Sequence, residues 1–139
     1  MVLDGEIVVL DDKGRPDFQL LQHYSENHDR PIQYCVFDLL ELTGRDTTGL
    51  PLIDRKELLK KIIPKNEVIK YSDHIIEKGK SFFRVSKEKD LEGIMAKKMD
   101  SKYYPGKRSS ELLKIKNNKT AEAIIAGYTE PEGARKYFG

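Results

Sequence analysis

Ile32-Gln33-Tyr34-Cys35-Val36-Phe37-Asp38-Leu39-Leu40 is apolar except at Gln33 and Asp38. A run of this length and composition reads as a buried strand. Leu42-Thr43-Gly44-Arg45-Asp46 follows it and turns the chain. Beyond the turn comes a helix. Asp54 suits its N-cap, with Glu57 three residues on as the partner of a capping box and Ile53 and Leu58 spaced as a hydrophobic staple. Leu58, Leu59, Ile62 and Ile63 form its apolar stripe, and Pro64 ends it.

Upstream, Ile7 to Leu10 is a short β-rich run closed by the turn signal Asp11-Asp12-Lys13-Gly14. Asp17 is placed to cap a short helix through Leu20, Leu21 and Tyr24. Downstream, Val68 to Tyr71 reads as a strand, and Lys80 to Lys87 as a helix with Phe82, Phe83 and Val85 turned partly inward. Leu91 to Lys97, Leu113 to Lys116 and Ala123 to Ala126 read as further strands, with Tyr103-Tyr104-Pro105-Gly106 as a loop. Helices and strands mix without a regular β-α-β alternation, so the expected class is α+β. The 139 residues suit one domain, with a boundary expected at Asn117-Asn118-Lys119. No apolar run approaches the roughly 20 residues that span a bilayer, and no signal peptide is visible at the N-terminus. Cys35 is the only cysteine, which excludes a disulfide within the chain and points to a cytoplasmic location.

Charge is unevenly distributed. The formal net charge is +2, yet Lys97 to Lys119 holds eight basic and two acidic residues, leaving −4 for the rest. Such a zone suits phosphates, or is a solvated lysine-rich face. Four clusters could carry chemistry. Asp4-Gly5-Glu6 beside a strand offers a carboxylate for a ribose hydroxyl or a metal, although the same triplet suits a hairpin turn. Phe37 is an aromatic on the central strand, a ligand platform or core. In Glu92-Gly93-Ile94-Met95-Ala96-Lys97 a carboxylate and a lysine flank an apolar strand. In Leu113-Lys114-Ile115-Lys116, alternation puts both lysines on one face and Ile115 on the other. Two like charges held close together call for an anion between them, unless the face is simply solvated.

The order of these clusters resembles the covalent nucleotidyltransferase superfamily, and within it the ATP-dependent DNA ligases, especially the ligase domain of the bacterial LigD type. The resemblance rests on Asp4-Gly5-Glu6-Ile7-Val8, Phe37-Asp38-Leu39-Leu40, Leu50-Pro51-Leu52-Ile53-Asp54-Arg55, Glu92-Gly93-Ile94-Met95-Ala96-Lys97, Tyr104-Pro105-Gly106-Lys107-Arg108-Ser109 and Leu113-Lys114-Ile115-Lys116. Ile125-Ala126-Gly127-Tyr128-Thr129-Glu130-Pro131 resembles the opening strand of the OB-fold domain that follows in such ligases. The resemblance implies a partial adenylation domain over 1–118 and the start of an OB-fold domain over 119–139. The implied fold has antiparallel sheets flanked by helices around a nucleotide cleft, related to ATP-grasp folds. It implies ATP with Mg²⁺ or Mn²⁺ as cofactors. Phe37 would stack on adenine, and Glu6 would meet the ribose or a metal. Lys97 would sit in the nucleotide site, Glu92 would bind the metal, and Lys114 and Lys116 would hold the α-phosphate. Nicked or broken double-stranded DNA is the implied partner, with other end-joining repair proteins beside it.

The family's nucleophile is the lysine of a K-x-D-G motif, and no such motif occurs in this sequence. Val2-Leu3-Asp4-Gly5 comes nearest, with Val2 in the lysine's place, but Ile7 stands where an arginine is expected. Leu112 also replaces a usual tryptophan. The expectation is a chain that begins inside the domain, with an incomplete sheet, exposed apolar edges that favour dimerisation, and no self-adenylation. The alternatives are a non-catalytic nucleotide- or DNA-binding remnant, and an RNA ligase or capping-type nucleotidyltransferase.

Overall fold

The computed structural model describes the chain except for residues 27, 28, 65, 108, 119, 121, 123, 125, 128, 132 and 134–139. Of the strand expected at Ala123 to Ala126, residues 123 and 125 lie outside the described residues, and Ile124 and Ala126 are in no strand. The elements run β1 (Val2–Val9), α1 (Phe18–Gln22), β2 (Ile32–Leu42), β3 (Arg45–Asp46), α2 (Leu52–Ile62), β4 (Ile69–Tyr71), α3 (Gly79–Glu88), β5 (Gly93–Lys97) and β6 (Leu112–Lys116). Among the described residues β2 is the hub of a sheet. It pairs antiparallel with β1 and β3 and parallel with β4, while β5 and β6 form a separate antiparallel ribbon. Only β2, α2 and β4 follow a β-α-β course, so the α+β class stands.

The apolar run from Ile32 becomes β2 because its side chains fill the centre. Val36, Leu39 and Leu59 are fully buried, and Leu3, Tyr34, Leu58, Ile62 and Ile69 pack around them. Thr43 and Gly44 both have positive φ (50° and 80°). This two-residue loop matches the twist of the flanking strands and pairs Leu42 with Arg45. Asp17 caps α1 by accepting from the amides of Gln19 and Leu20, as its position predicts.

Three expectations change. Asp4-Gly5-Glu6 is not in a turn: β1 starts at Val2 and carries the triplet inside the strand. Helix α2 starts two residues before Asp54, with Pro51 at its N-cap position and no side-chain cap. The Ile53 amide donates instead to the carbonyl of Met99 (3.0 Å), so a tertiary contact does the work assigned to a capping box. The helix stops where expected, since Ile63 is extended (ψ 127°) as the residue before Pro64 must be. In α3, Phe82 and Val85 are exposed and Phe83 is only half-buried. Ser86 is the buried residue, and it accepts at 3.1 Å from Asn117 beyond β6.

Candidate functional site

The register between β1 and β2 carries the first piece of local chemistry. Gly5 pairs with Val36 and Asp4 with Asp38, so Phe37 has no partner in β1. A bulge of this kind bends a strand and re-aims a side chain. Phe37 takes no part in the core cluster. The Lys97 ammonium instead stands over its ring, 4.1 Å from the centroid. Burial pushes the Lys97 ammonium below the usual lysine range, a shift opposed by the nearby charges of Asp38 and Asp4.

The ribbon supplies the second piece. Gly93 pairs with Lys116, Met95 with Lys114 and Lys97 with Leu112. Paired residues share a face, so Lys97, Lys114 and Lys116 project from one side of the ribbon and Ile94 and Ile115 from the other. Glu92 sits just before β5. Its Oε1 lies 2.7 Å from the Lys114 Nζ and 3.9 Å from the Lys116 Nζ. The hydrogen bond from Lys114, then its charge, holds the Glu92 carboxyl below the usual range. Gly93 makes the ribbon feasible: its φ is +155°, and a Cβ there would collide with the Ile115 carbonyl oxygen.

Glu6 stands apart from both groups. It pairs with Cys35, between Tyr34 and Val36, which pack on the core side. Glu6 and Cys35 therefore face away from the core. Burial, then the Glu6 charge, pushes the Cys35 thiol up. Among the described residues no hydrogen bond or ion pair joins Glu6 to Phe37, Lys97, Glu92, Lys114 or Lys116. The structure thus assembles Phe37 with Lys97, and Glu92 with Lys114 and Lys116. The ribbon face links the two groups through Lys97. A shallow depression of about 430 Å³ is lined by Ala96, Lys97, Lys98, Ser110, Glu111 and Leu113. Lys97 lines it, and Lys114, Lys116, Glu92, Glu6 and Phe37 do not.

Sequence reasoning missed the polar web that joins sheet to ribbon. Arg55 is 1% exposed and Asp38 is 3%. Arg55 donates through Nε and Nη2 to the two oxygens of Asp38, at 2.7 and 2.9 Å. Its Nη1 reaches the Ser101 carbonyl at 3.0 Å. Tyr103 donates from its backbone to the Thr48 carbonyl at 2.9 Å and from its hydroxyl to Asp4 at 2.8 Å. The segment after β5 is in this way fastened to β1, β2 and α2. Lys56 donates to the carbonyls of Phe37 and Ser72 at 3.3 and 3.0 Å, steadying the bulge from below. One signal was available: a carboxylate inside the Ile32–Leu40 run demands a buried partner, and Arg55 is the arginine of the next helix. Nothing in the sequence pointed to Tyr103.

Comparison with known proteins bears on this arrangement. A family model described as ATP dependent DNA ligase domain matches residues 1–116. The multifunctional non-homologous end joining protein LigD of Pseudomonas aeruginosa is 35% identical over 140 residues, covering 99% of this chain and 16% of that protein. The SPbeta prophage-derived DNA ligase-like protein LigB of Bacillus subtilis is 35% identical, covering 94% of this chain and 49% of that protein. Among solved structures, a mycobacterial DNA ligase D complexed with ATP and MES superposes with a TM-score of 0.72 at 35% identity. That match covers 82% of this chain and 37% of the other. The chain therefore spans half or less of each of these relatives.

Proposed function

The chain belongs to the family of ATP-dependent DNA ligase domains and is LigD-like, and from that membership we propose that it is the nucleotide-handling part of a ligase adenylation domain. The observation that carries the reading is the shared ribbon face. One of its lysines rests on the Phe37 ring, and two more stand farther along the same strand pair. Lys114 lies two residues from the Leu112 register of Lys97 and Lys116 four, a spread of roughly 7–13 Å along an extended chain. That span suits a base at one end and a phosphate at the other.

In this reading Phe37 offers its ring to adenine, Lys97 closes the site above it, and Glu6 takes the ribose hydroxyls. Lys114 and Lys116 hold the α-phosphate of ATP. Attack at that phosphorus builds charge on the non-bridging oxygens, and two fixed ammonium groups offset it as it forms. Among the described residues no three His, Cys, Asp or Glu side chains converge on a metal position. One carboxylate still fits Mg²⁺ or Mn²⁺, because such ions are commonly held by one or two carboxylates together with substrate phosphates and water. Glu92 is the residue for that role, and the ion would supply charge neutralisation at the phosphates.

The 139 residues contain no K-x-D-G lysine, so in this reading they hold no group of that motif to carry AMP. The complete ligase would seal nicked or broken double-stranded DNA through a lysyl-AMP and a DNA-adenylate. Its setting would be repair or recombination, alongside other end-joining proteins, as the names of the LigD relatives suggest. Residues 1–118 would belong to the adenylation domain and 119–139 to the following OB-fold domain. Two measurements on the chain test the reading. ATP should bind, and Phe37→Ala should weaken it by the roughly 1–3 kcal/mol that stacking contributes per base. Incubation with α-labelled ATP and Mg²⁺ should leave no acid-labile label on the protein. A labelled band would refute the missing nucleophile, and unchanged ATP affinity in Phe37→Ala would refute the base site.

A further inference from the structure

Helix α2 sends two cations to consecutive residues of β2. Arg55 grips the Asp38 carboxylate, and Lys56 reaches the Phe37 carbonyl. Phe37 is where β2 loses its neighbours. Strand β1 passes over it, pairing Gly5 with Val36 and Asp4 with Asp38, and the ladder to β4 ends one residue earlier, at Val36 and Tyr71. Lys56 bridges that gap. Its ammonium donates to the Phe37 carbonyl at 3.3 Å and to the Ser72 carbonyl, just past β4, at 3.0 Å. It also stands 4.8 Å from the centre of the Tyr71 ring. Lys56 is only 7% exposed, and among the described residues no carboxylate forms an ion pair with it. Burial, then the Lys97 charge, press its ammonium below the usual lysine range. Holding a buried ammonium on two carbonyls and a ring is costly, and a methionine would fill the same space without that cost.

We propose that Lys56 is the positioning residue of the Phe37 ring: by tying the Phe37 carbonyl to the end of β4 it fixes the bulge, and so the face that Phe37 presents to a stacking base. The inference rests on the base-site reading above in naming the ligand. A bulged residue lacks the ladder that orients its neighbours, and the strand is free to twist there. The carbonyl and the ring of Phe37 belong to one residue, so anchoring the first restricts the second. Lys97 marks where the ring then stands, 4.1 Å from its centroid. A ring already in place spares the ligand the cost of ordering it. Lys56 itself meets no ligand in this role. Its contribution therefore falls on the base of a nucleotide and not on the phosphates.

The test has two readouts on the full chain. The first needs no ligand: the ε-methylene protons of Lys97 feel the ring current of Phe37, and Phe37→Ala identifies that shift by abolishing it. Lys56→Met should move the Lys97 signals partway toward their position in Phe37→Ala, and Lys56→Arg, which keeps donors for both carbonyls, should restore most of the shift. The second readout is binding of ATP and of inorganic tripolyphosphate. Lys56→Met should weaken ATP about three- to tenfold, a part of what stacking contributes per base, and leave tripolyphosphate unchanged. Added to Phe37→Ala it should cost nothing further, because the two residues act as one unit. Should Lys56→Met fail to unfold cooperatively, Lys56→Gln, with one donor on a shorter stem, takes its place in both readouts. Unmoved Lys97 signals, equal losses for the two ligands, or a loss of ATP affinity that persists without the Phe37 ring would each overturn the proposal. If the Lys97 signals move as expected while ATP binding ignores Phe37→Ala, the base-site reading fails and the positioning of the ring by Lys56 stands.

Discussion

Tyr103 carries a large acid–base displacement. Burial first, and then the hydrogen bond to Asp4, raise its hydroxyl from 10.0 to about 12. A phenol whose folded pKa is raised favours folding while it is neutral. Its contribution is complete below pH 10 and is lost as pH climbs from there through about 12. An alkaline titration followed by tyrosine absorbance should show one group ionising after the others, and Tyr103→Phe should remove that step. If the late step survives the substitution, the hydrogen bond to Asp4 is not its cause. Arg55 is the other residue with large leverage. Replacing it by Met leaves the Asp38 carboxylate buried without its bidentate partner, a loss of about 3–5 kcal/mol. Urea unfolding should record that loss, and the double replacement Asp38→Leu with Arg55→Met should recover part of it. A single variant within 1 kcal/mol of the parent would show that water replaces the guanidinium.

At the scale of elements, the ribbon depends on Gly93. Gly93→Ala puts a methyl group against the Ile115 carbonyl at a φ that side-chained residues avoid, so β5 and β6 should part. The cross-strand contacts between Met95 and Lys114 in an NMR spectrum should vanish while those between β1 and β2 persist. Retained ribbon contacts would mean that the backbone had relaxed at little cost. Elements were also where the sequence was most readable. The Ile32–Leu40 run announced β2, Asp17 announced α1, and Pro64 announced the end of α2, because each is a local signal. The start of α2 was misread because its cap is a carbonyl of Met99, 46 residues away from Ile53. Phe82 and Val85 were misread because α3 covers a narrow ribbon and leaves most of its surface in water. At the site, alternation alone placed Lys114 and Lys116 together. The bulge that sets Phe37 apart depends on how β1 pairs, which no short window of sequence reveals.

For the whole molecule, the structure divides into a well-filled sheet and a thinner ribbon tied to it. Every residue of β6 is exposed, whereas Val9, Val36 and Leu39 of the sheet and Leu59 of the helix packed on it are fully buried. Amide hydrogen exchange should therefore be faster in β5 and β6 than in β1 and β2, with the ribbon opening as a unit below the global unfolding free energy. Equal protection of both would show that the contacts of Tyr103 and Arg55 make one cooperative body.

The eight residues of β1 pair across ten positions of β2, Ile32 to Glu41. Because Phe37 and Leu40 are the residues passed over in that pairing, a change of length in this strand is a different event from a change of side chain. Deleting Phe37 would close the bulge and leave Val36 and Asp38 on the partners they already have, whereas adding a residue to a regularly paired stretch of β2 would exchange inside for outside beyond it. The length of β2, more than the identity of any one side chain, thus decides whether an aromatic is left outside the pairing to meet Lys97.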